Sequence, residues 1–491
     1  MNELFIKQFF SEKGELSQSI EDYRLRQEQV DISVLIDEAI TNKKKLIVEA
    51  GTGIGKTFAY LVPAFLSGGK IIISTATKNL QDQLFTKDIP MIRDALNVPV
   101  TLAMLKGRSN YLCHLRLENA MIEGAFMTKY NGKYYLQYGA PGTEFSGYAD
   151  GVYVGSGPLG PFEYQSHNPF SYKPGGFARG AGHGATFTDA FEQYWHVSTI
   201  GICVKNNFER RLGIWPAGFD KDDILYSNTA YGDYPTYLPS EKRDHLSGSF
   251  TGWMLLNYNK PIQVSSTLGG FQPNLAVDED IKTYWSAKTA NKGEYLISDL
   301  GELSTINAIQ INYADQDAEL MGKPYTTTGH KYILYTSNDG KNWKVLVDKS
   351  KSTKDVPHEY IELATPVKAR FLKLENVAMP TGKFAISGFR VFGTGSGENP
   401  GAVKNFVPLR SGPKVKGERR NVWFKWQQEP NADGYVIYFG KSPDKLYGSI
   451  MVYGKTEYYF NGLDRSDIYF FQIEAFNNNG IGPRSDIKKA E

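Results

Sequence analysis

The 491-residue sequence is short of cysteine, of charge imbalance and of long apolar runs, and each shortage excludes something. Its two cysteines, Cys113 and Cys203, are far apart and lack the paired spacing of a zinc site or a disulfide framework. Lys plus Arg number 55 against 53 Asp plus Glu, so no global field draws the chain to nucleic acid or an anionic membrane, and any such contact must be local. No stretch approaches the roughly 20 apolar residues of a membrane span, and the opening residues lack the apolar run of a secretory signal. As written, the product is expected in the cytoplasm. Tryptophan is missing before residue 120, whereas all seven Trp and most Tyr and Gly follow it. A shift of that kind marks a boundary, and the length allows three or four domains of about 100–200 residues each.

What is present in the first part is a phosphate-binding pattern. "KKLIVEAGTGIGKTFAYLVPAFL" reads as a short β-branched strand, a glycine-rich turn and an apolar helix beginning near Thr57. Gly51, Gly53 and Gly55 let the backbone curl so that its N–H groups face phosphate oxygens at a helix N-terminus. Lys56 would reach the terminal phosphates of ATP and the Thr57 hydroxyl would ligand magnesium. Ala50 stands where the strict pattern begins with Gly. Downstream, "KIIISTATKNLQDQL" reads as a second buried strand running into a helix.

Together with "YRLRQEQV" and "LKGRSNYLCHLRLE", residues 1–118 resemble the first motor domain of DinG-type iron–sulfur DNA helicases of superfamily 2. The resemblance implies adenine contacts from Arg26 and Gln29, a single-stranded DNA contact from Ser74 to Gln81, and Cys113 as the first of four cluster ligands. The other three cysteines, the acidic magnesium box and the second motor domain with its arginine finger do not follow. Asp278, Glu279 and Asp280 in "VDEDIKTYW" lack the preceding apolar strand that such a box needs. No complete iron–sulfur cluster and no unwinding are therefore expected, only weak ATP binding.

Residues 121–250 alternate aromatic strands with Gly, Pro and Asn turns, as in a sandwich or a propeller. "IEGAFMTKYNGKYYLQYGAPGTEFSGYADGVYVGSGPLGPFEY", "GHGATF" and "YWHVST" resemble glycoside hydrolase family 43, of the arabinofuranosidase and xylosidase type. That resemblance implies the C-terminal part of a five-bladed β-propeller, with Glu123 as general acid and His183 at the active-site floor, near calcium. Ala125 replaces the usual Pro, and Trp195 and Trp215 are assigned to blade core. The carboxylate that activates water belongs to blades that should precede residue 121, so the glycosidase site is expected to be incomplete.

"AVDEDIKTYW" with "DLG", then "YILYTSNDGKNWKVLVD", "ARFLKLEN" and "GFRVFG", resemble a discoidin (F5/8 type C) jelly-roll over 251–396, a module that binds sugars and in some cases calcium. Trp285 and Trp343 fit core positions there. After the linker "GTGSGENPG", residues 400–491 resemble a fibronectin type III sandwich, on Trp426, Gly434, Tyr435, Leu463 and the run from Tyr469 to Gly480. That module is assigned a spacer or partner-binding role.

The expected fold is thus multidomain: an α/β P-loop fragment over 1–120, then all-β modules. The expected partners are a polysaccharide or oligosaccharide for the β modules and single-stranded DNA for the helicase-like part. Three readings compete: a carbohydrate-active protein whose relatives are secreted or periplasmic, an ATP-binding helicase-like protein, and a chimeric gene with no function as a unit. The join falls between Glu118 and Ile122, where both resemblances break without a linker.

Overall fold

A computed structural model describes residues 2–20, 22–51, 54–75, 77–100, 102, 123–143, 145, 147–202, 204, 209–238, 249–319, 329–410 and 420–490. The chain divides into two compact units, 1–110 and 111–491. No described helix is long and apolar enough to cross a membrane.

The first unit is helical: α1 (Glu3–Phe9), α2 (Glu15–Ser19), α3 (Gln27–Thr41), α4 (Lys56–Leu66), α5 (Lys78–Gln83) and, after a single π turn, α6 (Ile89–Leu96). Ile6, Phe9, Leu16, Val30, Leu61, Val62, Phe65 and Ile92 form its core. Pro63 lies inside α4 and cannot donate to the Ala59 carbonyl. The buried Ser33 hydroxyl of α3 donates there instead, at 2.7 Å, so the proline becomes a docking point between the two helices.

Both strands expected from the sequence are missing among the described residues of this unit. Residues 46–50 and 71–75 run without ladder bonds, with Ile47 98 % and Ile72 95 % exposed. A parallel strand is held by neighbours on either side and by helices on both faces. In this unit α1, α3, α4 and α6 cover one another rather than a sheet, so the expected α/β fragment is corrected to a helical one.

The second unit is built of β-strands. Its first segment holds β1 (Glu123–Tyr130), β2 (Lys133–Ala140), β3 (Ala149–Gly155), β4 (Phe162–Tyr164), β5 (Ser171–Tyr172), β6 (Arg179–Thr188), β7 (Tyr194–Gly201), β8 (Arg210–Phe219) and β9 (Leu225–Ser227). The strands run β1-β2-β3 and β6-β7-β8-β9 as two antiparallel meanders, joined by a parallel bridge at Ala149–Ala181. The "YNGK" turn closes β1 on β2, with Tyr130 opposite Lys133 and positive φ at both central residues, the mirror-image turn that two-residue hairpins prefer. Trp195 and Trp215 are buried, as expected. No closed propeller forms among the described residues.

The second segment holds β10 (Met254–Leu255), β11 (Ile262–Val264), β12 (Trp285–Ser286), β13 (Tyr295–Tyr313), β14 (Lys331–Ser337), β15 (Lys344–Asp348), β16 (His358–Ala378) and β17 (Ala385–Thr394). They form a discoidin-like sandwich around Trp285, Leu296, Ile309, Leu372, Phe384 and Phe389. Trp285 is fully buried against the edge of Phe384, whereas Trp343 is only half-buried beside β15. The third segment holds β18 (Val407–Arg410), β19 (Val422–Lys425), β20 (Gly434–Gly440), β21 (Gly448–Tyr453), β22 (Glu457–Phe460), β23 (Tyr469–Phe476) and β24 (Lys488–Ala490). These divide into a sheet ordered β18-β19-β22 and one ordered β21-β20-β23-β24, closed on Phe424, Trp426, Ile437 and Ile473.

The three segments are not strung as beads. Tyr231, Tyr234, Met254, Leu255, Phe392, Val436, Tyr438, Met451 and Phe476 form one apolar cluster drawn from all of them. At its edge Arg390 of β17, 1 % exposed, grips Glu279 with two bonds of 2.9 Å and donates to the Asp233 carbonyl at 2.7 Å. Lys173 lies 3.0 Å from the Asp233 carboxylate. On the far side Tyr231 and Tyr438 both donate to Glu474. The stretch "GTGSGENPG" is pinned as well: Ser396 and Asn478 both donate to Glu302. The third segment is therefore fused to the other two and is no loose spacer.

Candidate functional site

In the helical unit, α4 begins at Lys56 directly after Gly55, whose φ is +77°. Gln29 of α3 donates its amide to the Gly55 carbonyl at 2.8 Å, and a Cβ on Gly55 would stand 2.1 Å from that nitrogen, so glycine is required twice over. Arg26, the residue before α3, lies against the same glycine. The fold thus brings Arg26, Gln29, Gly55 and Lys56 together, although 26 residues separate Gln29 from Gly55. Lys56 folds back and donates to the Ala50 and Gly51 carbonyls at 2.9 and 2.8 Å. Thr57 follows Lys56 in the first turn of α4. Gly53 and Cys113 lie outside the described residues.

In the β-rich unit, Glu123 opens β1 and its side chain is only 7 % exposed. Tyr148 donates to Glu123 Oε1 at 2.5 Å. Burial, then the bond to Glu123, pushes the Tyr148 phenol far above the usual tyrosine range, so it stays a neutral donor. His183 of β6 places Nδ1 3.6 Å from the same carboxylate oxygen and is partly open to solvent. A Cβ on Gly124, at φ +64°, would strike the His183 ring at 2.4 Å, so the residue after the acid must be small for the imidazole to sit there. Gly124, Ala125, Phe126, His183, Gly184, Ala185, Val197, Ser198 and Leu212 line a hollow of about 270 Å³. Hydrolysis of a glycoside needs a second carboxylate, about 5–9.5 Å from the acid according to stereochemistry. None lines this hollow among the described residues.

Asp150 and His196, which sequence reasoning missed, lie behind the site. Asp150 Oδ2 meets His196 Nε2 at 2.7 Å, and both are fully buried. Thr186 donates to Gln137 Oε1 at 2.8 Å, so its oxygen accepts from His196 Nδ1 at 3.0 Å, and one further proton is shared between Nε2 and Asp150. This relay ties β2, β3, β6 and β7 together. Its Oδ2 faces an imidazole and its Oδ1 is buried without a hydrogen-bond partner among the described residues, so the carboxylate is shut away from solvent and is no candidate base. Tyr148 and Asp150 both lie in "YADGVY". Strand alternation places them on one face of β3 and its approach, but gives no sign of their partners.

For calcium, no group of three or more His, Cys, Asp or Glu side chains converges among the described residues. Asp278 is spent on the Asp280 backbone and the Thr283 hydroxyl.

Comparison with known proteins divides the chain in the same way. Residues 261–387 match the F5/8 type C domain. Residues 33–122 match the DEAD/DEAH box helicase family, a match that ends one residue before β1 begins. The ATP-dependent DNA helicase YoaA of Haemophilus influenzae is 52 % identical over 124 residues, 25 % of this chain and 19 % of the relative; the chain thus spans about a fifth of that relative's length. Among solved structures, one described as a glycoside hydrolase aligns with 60 % of this chain and 63 % of its own at 17 % identity and a TM-score of 0.32. The family 32 carbohydrate-binding module of Clostridium perfringens NanJ, solved with galactose, aligns with 28 % of this chain and 98 % of its own at 16 % identity and a TM-score of 0.24.

Proposed function

We propose that residues 123–491 form a carbohydrate-binding body that descends from a family 43 glycoside hydrolase and no longer hydrolyses its ligand. The observation that carries this reading is the Glu123 site. A carboxyl group lies shielded beneath Tyr148 and beside His183, and the residue that follows it, Gly124, lines the hollow together with His183. Such an acid protonates the leaving oxygen as the sugar becomes oxocarbenium-like, and a second carboxylate must then supply water or attack the sugar. No second carboxylate lines the hollow among the described residues. Sugar recognition falls to the discoidin-like sandwich, in keeping with its family match. The test is retention of the intact chain on neutral polysaccharide with no release of product; failure to be retained on any neutral polysaccharide would sink the reading.

A second function, ATP binding by the helicase fragment, is favoured by the meeting of Gln29 and Arg26 with the start of α4. On this reading the loop N–H groups and Lys56 hold the phosphates, and the Thr57 hydroxyl ligands magnesium. Lys56→Ala is expected to weaken binding of a fluorescent ATP analogue by tenfold or more, on the order of 1.4 kcal/mol. An unchanged affinity would remove the phosphate-loop assignment. Whether one gene encodes both units is tested by single DNA reads across codons 113–124.

A further inference from the structure

The outward face of the sheet β18-β19-β22 departs from the usual alternation. In a two-sheet sandwich the inner residues of each strand are apolar and the outer ones polar. Here Val422, Phe424 and Phe460 point inward and are buried, as the rule requires. The outward positions, however, are Val407 and Leu409 on β18, Trp423 and Lys425 on β19, and Glu457 and Tyr459 on β22. The register sets these in two rows: Leu409 opposite Trp423 opposite Tyr459, and Val407 opposite Lys425 opposite Glu457. Trp423 is 43 % and Tyr459 57 % exposed, so two aromatic rings lie side by side on adjacent strands in open solvent. The Lys425 ammonium lies over one face of the Trp423 ring, 4.4 Å from its centroid and 4.0 Å from Glu457, which leaves the opposite face of the indole for a ligand.

We propose that this face is a binding platform for an uncharged saccharide chain, separate from the Glu123 hollow and from the discoidin-like sandwich. Three features select that ligand. The first is size. Three four-residue strands make a face about 13 Å by 14 Å, on the order of 200 Å². A stable partner of protein size, including a second copy of this chain, needs roughly 800 Å² per side. The second is charge. Lys425 and Glu457 neutralise each other, so the platform exerts little pull on an anion or a cation. The third is chemistry. A pyranose ring has a C–H face, weakly positive, that stacks on the negative face of an indole or phenol, and a rim of hydroxyls that both donate and accept. The platform offers two rings in line and, in the next row, an ammonium donor beside a carboxylate acceptor. Because both rows cross the strands, the saccharide would run perpendicular to them, with successive sugars over Trp423 and Tyr459.

The inference stands on this face alone: full retardation surviving loss of the platform would overturn it and leave the sugar-binding reading of the discoidin-like sandwich intact, whereas no retardation of the parent in any neutral gel would overturn both. The experiment uses the intact chain in native gels containing wheat arabinoxylan or hydroxyethyl cellulose, with a polygalacturonate gel for comparison. Retardation is expected in a neutral gel. Trp423→Ala should weaken the apparent affinity about tenfold, Trp423→Phe should restore part of it, and Trp423→Ala with Tyr459→Ala should remove the platform's contribution. Both side chains point outward, so the thermal unfolding midpoint should stay within a degree or two of the parent, which excludes misfolding as the cause. Four results would overturn the proposal: full retardation surviving in the double variant, which would assign the binding elsewhere; no retardation of the parent in any neutral gel; stronger retardation by polygalacturonate than by neutral polymers; or a dimer that Trp423→Ala converts to monomer.

Discussion

Arg390→Met is expected to lower the unfolding free energy of the β-rich unit by about 3–5 kcal/mol, the cost of breaking a buried ion pair by removing one partner. Arg390 is enclosed by Phe177, Tyr234 and Phe392, and its guanidinium meets Glu279, the Asp233 carbonyl and Gln310. Methionine fills much of the same space but strands Glu279, a carboxylate that burial already pushes above the usual range despite the arginine. A carboxyl whose folded pKa is raised binds protons more readily folded than unfolded, so its penalty shrinks as pH falls. The deficit of Arg390→Met should therefore be largest at neutral pH and narrow in acid, and Glu279→Gln in the same chain should recover part of it. Asp233 is better protected, since Lys173 remains 3.0 Å away. Urea denaturation at pH 5 and pH 8 measures both effects. A loss under about 1 kcal/mol at pH 8 would mean that water reaches the cluster and that the segments hinge rather than fold as one body.

Ile47→Lys and Ile72→Lys are expected to do the opposite of what a phosphate-loop protein would predict. In a parallel sheet covered on both faces, an isoleucine replaced by lysine leaves a buried, unpaired charge and costs several kcal/mol. In this unit both side chains are almost fully exposed, so each change should cost less than about 0.5 kcal/mol. It should also improve behaviour in solution. "LIV" at 46–48 and "III" at 71–73 are rich in β-branched residues, uncharged and outside any sheet ladder, the composition of segments that associate edge to edge. The double variant is expected to raise the soluble, monomeric fraction severalfold in sedimentation velocity without reducing helical circular dichroism. Loss of the helical signal would show that these segments form buried strands in solution.

The hairpin at Asn131–Gly132, the buried Trp195, Trp215 and Trp285, and the start of α4 were all legible in the sequence, because each depends on a few neighbouring residues. The strands at 46–50 and 71–75 were misread for the same reason. Their composition demands a sheet, but whether a sheet forms depends on strands elsewhere, and local pattern carries no record of them. The Glu123 site was half legible: the resemblance pointed to Glu123 and His183, while Tyr148 is separated from Glu123 by two strands and nothing near it in sequence announces the contact. Least legible was the junction of the three β segments. Glu279 reads as an acidic turn residue and Arg390 as one charge in an apolar strand, and only their meeting across 111 residues gives either a purpose. The platform on β18, β19 and β22 was open to inspection in principle, since Trp423 and Tyr459 break the in-out alternation of their strands. It needed the register to show that they stand side by side.

The central claim, that the Glu123 site lacks the second carboxylate that glycoside hydrolysis needs, is tested most directly by p-nitrophenol release from aryl arabinofuranosides and xylosides, with Glu123→Gln assayed beside the parent chain. The account predicts release at the buffer rate for both proteins, while the parent still binds arabinoxylan in native gels. Turnover by the parent that falls 10²–10⁴-fold in Glu123→Gln, as loss of a working general acid would require, would contradict it.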